Sequence, residues 1–119
     1  MSKLLIVDDE VDIREFAKSF FKKRGIDVFI ASGGKEALEI ILAQQPNLVL
    51  LDVRMEQMTG VDVLKELRKS DKLTKVIMVS ATEDEEIINE VKSLGVNGFV
   101  HKPLVLEELE QIVLAELNK

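Results

Sequence analysis

The sequence predicts an α/β fold in which a five-stranded parallel sheet is covered by helices on both faces. Short apolar runs alternate five times along the chain with segments whose apolar residues repeat at helical spacing. Unbroken apolar runs indicate strands that are covered on both faces, as in a doubly wound parallel sheet. Four of these runs end in polar residues, and the carboxyl ends of parallel strands meet at one edge, where such sheets bind ligands.

The predicted strands cover residues 4–8, 26–31, 48–52, 76–80 and 98–100. The third is four consecutive apolar residues followed by a carboxylate, so Asp52 is expected at the edge of the sheet and not in its core. The polar residues that end or follow the other strands are Asp8 and Asp9, Ser80, and His101 with Lys102. We therefore expect one cluster of carboxylates, a hydroxyl and an ammonium at a single edge.

The predicted helices cover Asp9–Arg24, Ser32 to the residue before Pro46, Val61–Leu67, residues 83–94, and a last segment opened by Pro103. Gly25 and Gly95 are the predicted stops of the first and fourth helices. Thr82 and Glu85 fit a capping box at the start of the fourth helix, in which the hydroxyl and the carboxylate each satisfy a free backbone N–H.

Length and composition restrict the class of protein. A chain of 119 residues with 46% hydrophobic residues fits one domain with one core, and we expect no output domain after the last helix. A net charge of −6 without a basic stripe argues against direct nucleic-acid binding. The absence of cysteine excludes disulfides and thiolate chemistry. No signal segment and no apolar run near ~18 residues is present, so we expect a cytoplasmic protein without membrane insertion.

The acidic cluster predicts phosphoryl chemistry. Asp8, Asp9 and Asp52 would place three like charges close together, which is unfavourable unless a cation joins them or a pKa rises. Carboxylate ligands suit Mg²⁺, which also shares phosphate oxygens. Asp52 is then the candidate nucleophile, because carboxylates form aspartyl-phosphates. Lys102 offers a positive charge to the phosphoryl oxygens, and Ser80 offers a hydroxyl donor.

On these residues the chain resembles the receiver domains of two-component response regulators, including single-domain chemotaxis regulators, over essentially its whole length. The matching motifs are Asp8-Asp9, Asp52, Ser80-Ala81 and Lys102-Pro103. The resemblance implies one receiver domain over residues 1–119, with a flavodoxin-like sheet in the strand order 2-1-3-4-5.

The resemblance also implies how the phosphoryl group and the metal would be held. Asp52 would accept phosphate from a histidine kinase or a phosphotransfer protein. Asp9, Asp52 and the backbone carbonyl of Arg54 would bind Mg²⁺ directly, and Asp8 would act mainly through water. Chemistry would be limited to Mg²⁺-dependent self-phosphorylation and slow autodephosphorylation.

A further set of residues would carry the signal. By resemblance, Ser80 and Lys102 would bind the phosphoryl group, Phe99 would stand where the family often has a switching aromatic, and the Lys102–Pro103 bond would be cis. The surface of the fourth helix, fifth strand and fifth helix would then bind an unknown effector protein. A monomer or a weak phosphorylation-dependent dimer is expected.

Two positions depart from the family pattern. Glu56 stands where a proline is common, and Ser80 stands where threonine is common, without the methyl group that restricts the rotamer. Neither change removes a chemical group, so both bear on the switching geometry and on the lifetime of the phosphoryl group. Phe99 is favoured as core over switch, and His101, the only histidine, is expected to face solvent.

Three other functions are weighed against a phosphorylation-controlled switch. A small aspartate-nucleophile phosphatase commonly has a second acid two residues after the nucleophile, where this chain has Arg54, and it needs more chain for a substrate pocket. A flavin carrier on the same fold is disfavoured by the acids after the first strand and by the absence of Trp and Tyr. A phosphate relay or sink without a direct effector stays open.

Overall fold

The computed structural model describes residues 2–119 and shows five strands alternating with five helices. The strands are β1 (Lys3–Val7), β2 (Asp27–Ala31), β3 (Leu48–Asp52), β4 (Lys75–Ser80) and β5 (Gly98–His101). The helices are α1 (Val11–Lys22), α2 (Gly34–Gln44), α3 (Gly60–Ser70), α4 (Glu85–Ser93) and α5 (Leu106–Leu117). All paired strands are parallel, in the order β2-β1-β3-β4-β5, which confirms the predicted fold. Within residues 2–119, every helix is too short or too polar to cross a lipid bilayer.

The sheet separates two apolar clusters, one on each face. Because side chains alternate along a strand, Leu5 and Val7 of β1 pack with α2, α3 and α4, whereas Leu4 and Ile6 pack with α1 and α5. The central strand β3 is buried at all five positions. This two-sided burial explains why the strands read as continuous apolar runs.

The predicted start of α4 is wrong. The helix begins at Glu85, and its cap is the Asp84 side chain, which accepts a hydrogen bond of 2.9 Å from the backbone N–H two residues on. Thr82 Oγ1 accepts from the Asp84 N–H at 3.1 Å and so forms a turn before the helix. Aspartate is itself a preferred cap, and here it replaces the threonine. The capping box occurs instead at the start of α3, between Thr59 and Asp62.

The predicted starts of α1 and α5 also lie too early. Asp8 Oδ1 accepts a hydrogen bond of 2.9 Å from the Glu10 N–H, so the chain turns before α1 begins. After the cis Lys102–Pro103 bond, Leu104 packs against the α1 and α5 cluster and Val105 is extended, so α5 starts only at Leu106. Leu104, which is partly buried, and the extended Val105 therefore separate β5 from the start of the helix.

A buried arginine joins the ends of α3 and α4. The guanidinium of Arg68 donates hydrogen bonds of 2.9–3.1 Å to the backbone oxygens of Asp71, Thr74, Leu94 and Gly95. Burial lowers the pKa of Arg68, and the charge of Asp71 opposes that shift. Because helices leave their last carbonyls unpaired, this one side chain satisfies groups at the ends of two helices.

Candidate functional site at the carboxyl edge of the sheet

The carboxyl ends of four strands meet at one edge of the sheet. The strand register pairs Asp52 with Val79 and Ser80 with His101, so the ends of β3, β4 and β5 are level. Asp8 follows directly after β1, the other neighbour of β3. The structure therefore brings together the residues that the sequence places after these strands.

Two buried carboxylates share one ammonium group at this edge. Lys102 Nζ lies 3.2 Å from Asp52 Oδ2 and 3.3 Å from Asp8 Oδ2. The side chains of both aspartates are 5% exposed, and that of Lys102 is 15% exposed. Asp52 therefore lies at the edge of the sheet and outside the two apolar clusters, as predicted, but its side chain is buried there, which the sequence did not indicate.

The electrostatics of the site follow from this burial. Burial raises the pKa of Asp52, and the negative charge of Asp8 raises it further, against the attraction and hydrogen bond of Lys102. Burial alone would lower the pKa of Lys102, but the two carboxylates outweigh it and raise that pKa. One ammonium thus faces these two buried carboxylates and, at 3.8 Å, the exposed carboxylate of Glu10. A further cation would relieve the repulsion among them.

A second group of carboxylates adjoins this cluster. Within residues 2–119, Asp8, Asp9 and Glu10 form the group of three whose oxygens lie within 4.8 Å of one another, with Asp8 buried and the other two exposed. Asp52 is not part of this close group, in contrast to the predicted trio. An all-oxygen donor set next to open solvent suits Mg²⁺, which keeps several waters. These residues could therefore hold such an ion.

Ser80 is buried at the end of β4. Its Oγ accepts a hydrogen bond of 3.0 Å from the Thr82 N–H, which leaves the hydroxyl hydrogen free to donate. Phe99 is half-buried against the α2–α4 cluster, and its ring centroid lies 5.0 Å from that of His101. His101 itself is exposed, as the sequence predicted.

The loop after β3 packs directly on the Asp52 backbone. The Arg54 N–H donates to Asp52 Oδ1 at 3.3 Å, while the Arg54 side chain is exposed. A Cβ on Gly60 would lie 2.1 Å from the Asp52 carbonyl oxygen, and the Gly60 N–H donates to the Val53 oxygen at 2.9 Å. Only a glycine fits between the first turn of α3 and the end of β3.

Sequence reasoning missed three residues of this edge. Glu10 completes the carboxylate group, and its signal was the third consecutive acid after β1. Arg14 Nη1 donates to the Asp8 carbonyl oxygen at 2.7 Å, a contact from one turn inside α1 that no local pattern indicates. Gly60 stands just before the predicted third helix and no role is predicted for it, although its close approach to Asp52 fixes its identity.

Comparison with known proteins agrees with this geometry. A family model described as the response regulator receiver domain matches residues 4–114. Sporulation initiation phosphotransferase F of Bacillus subtilis is 36% identical over 111 residues, which cover 93% of this chain and 90% of that protein. Regulatory protein AtoC of Escherichia coli is 35% identical over 99% of this chain but only 26% of its own length. The chain spans about half the length of several other curated relatives.

Solved structures give the same result. The chemotaxis protein CheY4 of Vibrio cholerae is 30% identical, with a TM-score of 0.91 and coverage of 98% of this chain and 99% of that one. The response regulator TrrA of Thermotoga maritima, solved in complex with Mg(2+)-BeF, is 32% identical with a TM-score of 0.87. That match covers 98% of this chain and 100% of that one.

Proposed function

Since this chain belongs to the response regulator receiver domains, we propose that it accepts a phosphoryl group on Asp52 and thereby changes its binding to another protein. The observation that carries this proposal is the pair of buried carboxylates, Asp52 and Asp8, that share Lys102 at the carboxyl edge of the sheet. The donor would be the phosphohistidine of a kinase or a phosphotransfer protein.

In the transfer step, a carboxylate oxygen of Asp52 attacks the phosphorus atom of the donor. The new P–O bond forms as the P–N bond to the donor imidazole breaks, and the imidazole leaves with the electron pair and takes up a proton. Lys102 Nζ, which lies 3.2 Å from Asp52 Oδ2, would move to pair with a phosphoryl oxygen as negative charge develops there. The hydroxyl of Ser80 would donate to another phosphoryl oxygen.

Mg²⁺ is the metal that the carboxylates fit. Asp9, Asp52 and the backbone carbonyl of Arg54 would hold it directly, and Asp8 would act mainly through water. Glu10 lies within 4.8 Å of Asp8 and Asp9 and is close enough to join them directly or through water. When bound, the ion neutralises charge on the phosphoryl oxygens. TrrA, a relative, was solved with Mg(2+)-BeF, which supports this assignment.

An apolar groove beside the site offers a surface for the donor protein. It lies between α1 and the start of α5 and is lined by Ile13, Phe16, Pro103, Leu104 and Leu106, next to Lys102. Phe16 is 64% exposed, although large apolar side chains are usually buried. A helix of the donor that covered this groove would bring its phosphohistidine to the edge of the sheet.

The signal would leave through the face formed by α4, β5 and α5. In the chain, Ser80 precedes α4, Phe99 lies on β5, and Lys102 directly follows β5. Raising a state from 1% to 99% needs ~5.5 kcal/mol, more than one hydrogen bond supplies, so Ser80 and Lys102 act together and the partner completes the shift.

A relay of the phosphoryl group is a second candidate function. It is favoured by the likeness to sporulation initiation phosphotransferase F over 90% of that protein's length. In that case phospho-Asp52 would pass its group to a histidine of a phosphotransfer protein. Radiolabelled phosphate that moves to such a protein faster than it is lost to water would identify the relay.

The proposal also covers the domain organisation, the location and the activity of the protein. The likeness to CheY4 over 98% of this chain supports the proposal that residues 1–119 act as one receiver domain. We place it in the cytoplasm, with no enzyme activity beyond phosphorylation and slow dephosphorylation of Asp52.

Intact mass after treatment with acetyl phosphate tests the proposal. Wild type and the control Asp27→Asn, an exposed acid at the start of β2, should each gain one phosphoryl group in Mg²⁺ and none after chelation. Asp52→Asn should gain none, and its stability should equal or exceed that of wild type because the substitution removes a buried like charge. Uptake by Asp52→Asn at the wild-type rate would exclude Asp52 as acceptor. Equal uptake with chelator would exclude the metal.

A further inference from the structure

The negative charge of the chain is concentrated in its last third. Residues 1–80 contain 13 acids and 13 bases, whereas residues 81–119 contain nine acids and three bases. The net charge of −6 therefore arises entirely after Ser80. This is the part of the chain that forms α4, β5 and α5.

Ion pairs show which flank of each helix faces its neighbour. Glu90 of α4 lies 3.0 Å from Lys65 of α3, and Glu110 of α5 contacts Arg24, which follows the end of α1. At about 100° per residue, the opposite flank of α4 carries Glu85, Ile88 and Lys92, and the opposite flank of α5 carries Glu108 and Ile112. Those flanks face the sheet edge at β5.

The surface between these flanks has an apolar centre. β5 is an edge strand, and its outer backbone groups have no strand partner within the part of the chain that the structure describes. Phe99 of β5, Ile88 of α4 and Ile112 of α5 are all partly exposed, with Phe99 on the α4 face of the sheet and Ile112 on the α5 face. An apolar centre with a polar border is the usual composition of a protein interface.

The border of this surface is acidic. Glu83, Asp84, Glu85 and Glu108 are exposed and form no ion pair within residues 2–119, and Lys92 is the one exposed base on these flanks. Acids in the first turn also stabilise a helix, but that local effect is equal on both flanks. Facing a second copy, these groups would meet like charges and repel.

We propose that the protein partner of this face is basic: a segment with apolar side chains that cover Ile88, Phe99 and Ile112, bordered by lysine or arginine opposite Glu85 and Glu108. This deepens the proposed function, since it rests on the same face and adds the chemistry of the effector. It also assigns the face to a different protein and not to a second copy of this chain.

Adjacent glutamates supply a matched pair of variants. Glu85→Gln with Glu108→Gln removes one acid from the first turn of each helix on the β5 flanks. Glu86→Gln with Glu107→Gln removes the same charges from the same turns, but on the flanks turned toward α3 and α1. Both doubles have the same net charge and lose the same helix-terminus interaction, so only the position of the charge differs.

The probe is a synthetic amphipathic peptide with leucine on one face and lysine on the other, titrated into the beryllofluoride form in Mg²⁺ and followed by amide NMR shifts. We expect shifts at residues 83–92, 98–101 and 108–112, about tenfold weaker affinity for Glu85→Gln/Glu108→Gln, and less than threefold for Glu86→Gln/Glu107→Gln. Affinity should fall with added salt, since screening weakens exposed charge pairs.

Three results would overturn the inference. These are equal loss in the two doubles, equal binding of a peptide with glutamate in place of lysine, and a dimer through this face in sedimentation of the activated form. Phosphate uptake on Asp52 is measured on the same samples. Normal phosphate uptake without charge-dependent peptide binding would refute the basic partner alone. Charge-dependent binding without phosphate uptake would refute the proposed phosphorylation and leave the inference of a basic partner intact.

Discussion

Gly60→Ala should damage both the stability and the phosphorylation of the protein. The added Cβ would lie 2.1 Å from the carbonyl oxygen of Asp52 and 2.9 Å from the Cα of Val53. Real Cβ contacts do not fall below 3.0 Å, so α3 and the end of β3 must separate by roughly 1 Å. Both partners are backbone atoms, and neither can turn away as a side chain would.

The magnitude follows from this close packing. Forcing an extra methyl group into a close-packed interior costs about 1–3 kcal/mol, and the rigid backbone here places the cost near the top of that range. Replacing glycine in a helix recovers at most ~1 kcal/mol. We therefore expect a loss of about 2 kcal/mol. A displacement of ~1 Å at Asp52 should also slow phosphorylation by acetyl phosphate, by up to ~100-fold.

Two other glycines provide the controls. A Cβ on Gly33 would meet nothing within 4 Å, so Gly33→Ala should leave the rate unchanged. Gly33 is the N-cap of α2, where alanine is less favourable than glycine, so stability should fall by at most ~1 kcal/mol. A Cβ on Gly34 would lie 2.7 Å from Val63 Cγ2 and 2.9 Å from the Met58 side chain, which can move, so Gly34→Ala should cost about 1 kcal/mol. Urea unfolding and intact mass measure the series. If Gly60→Ala unfolds within 0.5 kcal/mol of Gly33→Ala, about the size of a surface effect, the close packing has been misread.

Lys102→Met should lower stability by about 3 kcal/mol in the absence of metal, because it leaves two carboxylates buried together. Adding Asp52→Asn should recover much of that loss in urea unfolding, and no recovery would show that the pair is not coupled. Ser80→Ala should still take up phosphate but show much smaller beryllofluoride-induced amide shifts across residues 81–105, and undiminished shifts would show that its hydroxyl is not the relay. Asp71→Asn should cost about 1 kcal/mol at neutral pH, because the hydroxyl and N–H of Thr74 and the N–H of Leu73 donate to that carboxylate. These hydrogen bonds, the Thr74 hydroxyl first, hold the pKa of Asp71 below 3.8, so its contribution is present above 3.8 and lost as pH falls through the folded value. Unfolding of wild type and Asp71→Asn should therefore converge in acid, and a constant difference would contradict this.

Patterns within each segment of the sequence predict the strands and the residues at their ends. The apolar runs place all five strands, and their ends place Asp8, Asp52, Ser80 and Lys102 at one edge, because side-chain alternation and parallel pairing act along each strand. The strand order came from resemblance, since no run of residues states which strand it pairs with. The predicted cap of α4 is wrong because Asp84, and not Thr82, caps the start of that helix.

The remaining errors come from contacts between distant segments. The burial of Asp52 depends on how the loops and helices close over the edge, and the role of Gly60 depends on a backbone that it meets only after folding. Arg68 reads as an ordinary charged helix residue. Its partners include the carbonyl of Gly95, 27 residues away, so no pattern within the helix could show that it is buried.

The hydrogen bonds of Arg68 hold the C-terminal end of α4 against the end of α3. The guanidinium donates to the carbonyls of Leu94 and Gly95 at the C-terminal end of the helix. At the other end, the side chains of Thr82 and Asp84 accept hydrogen bonds from backbone N–H groups of the same segment. Helix α4 is nine residues long, about 13 Å, so a tilt of ~10° about its C-terminal end moves its N-terminal end by about 2 Å. A small displacement at Ser80 would therefore be magnified where the helix begins, while the far end stays in place.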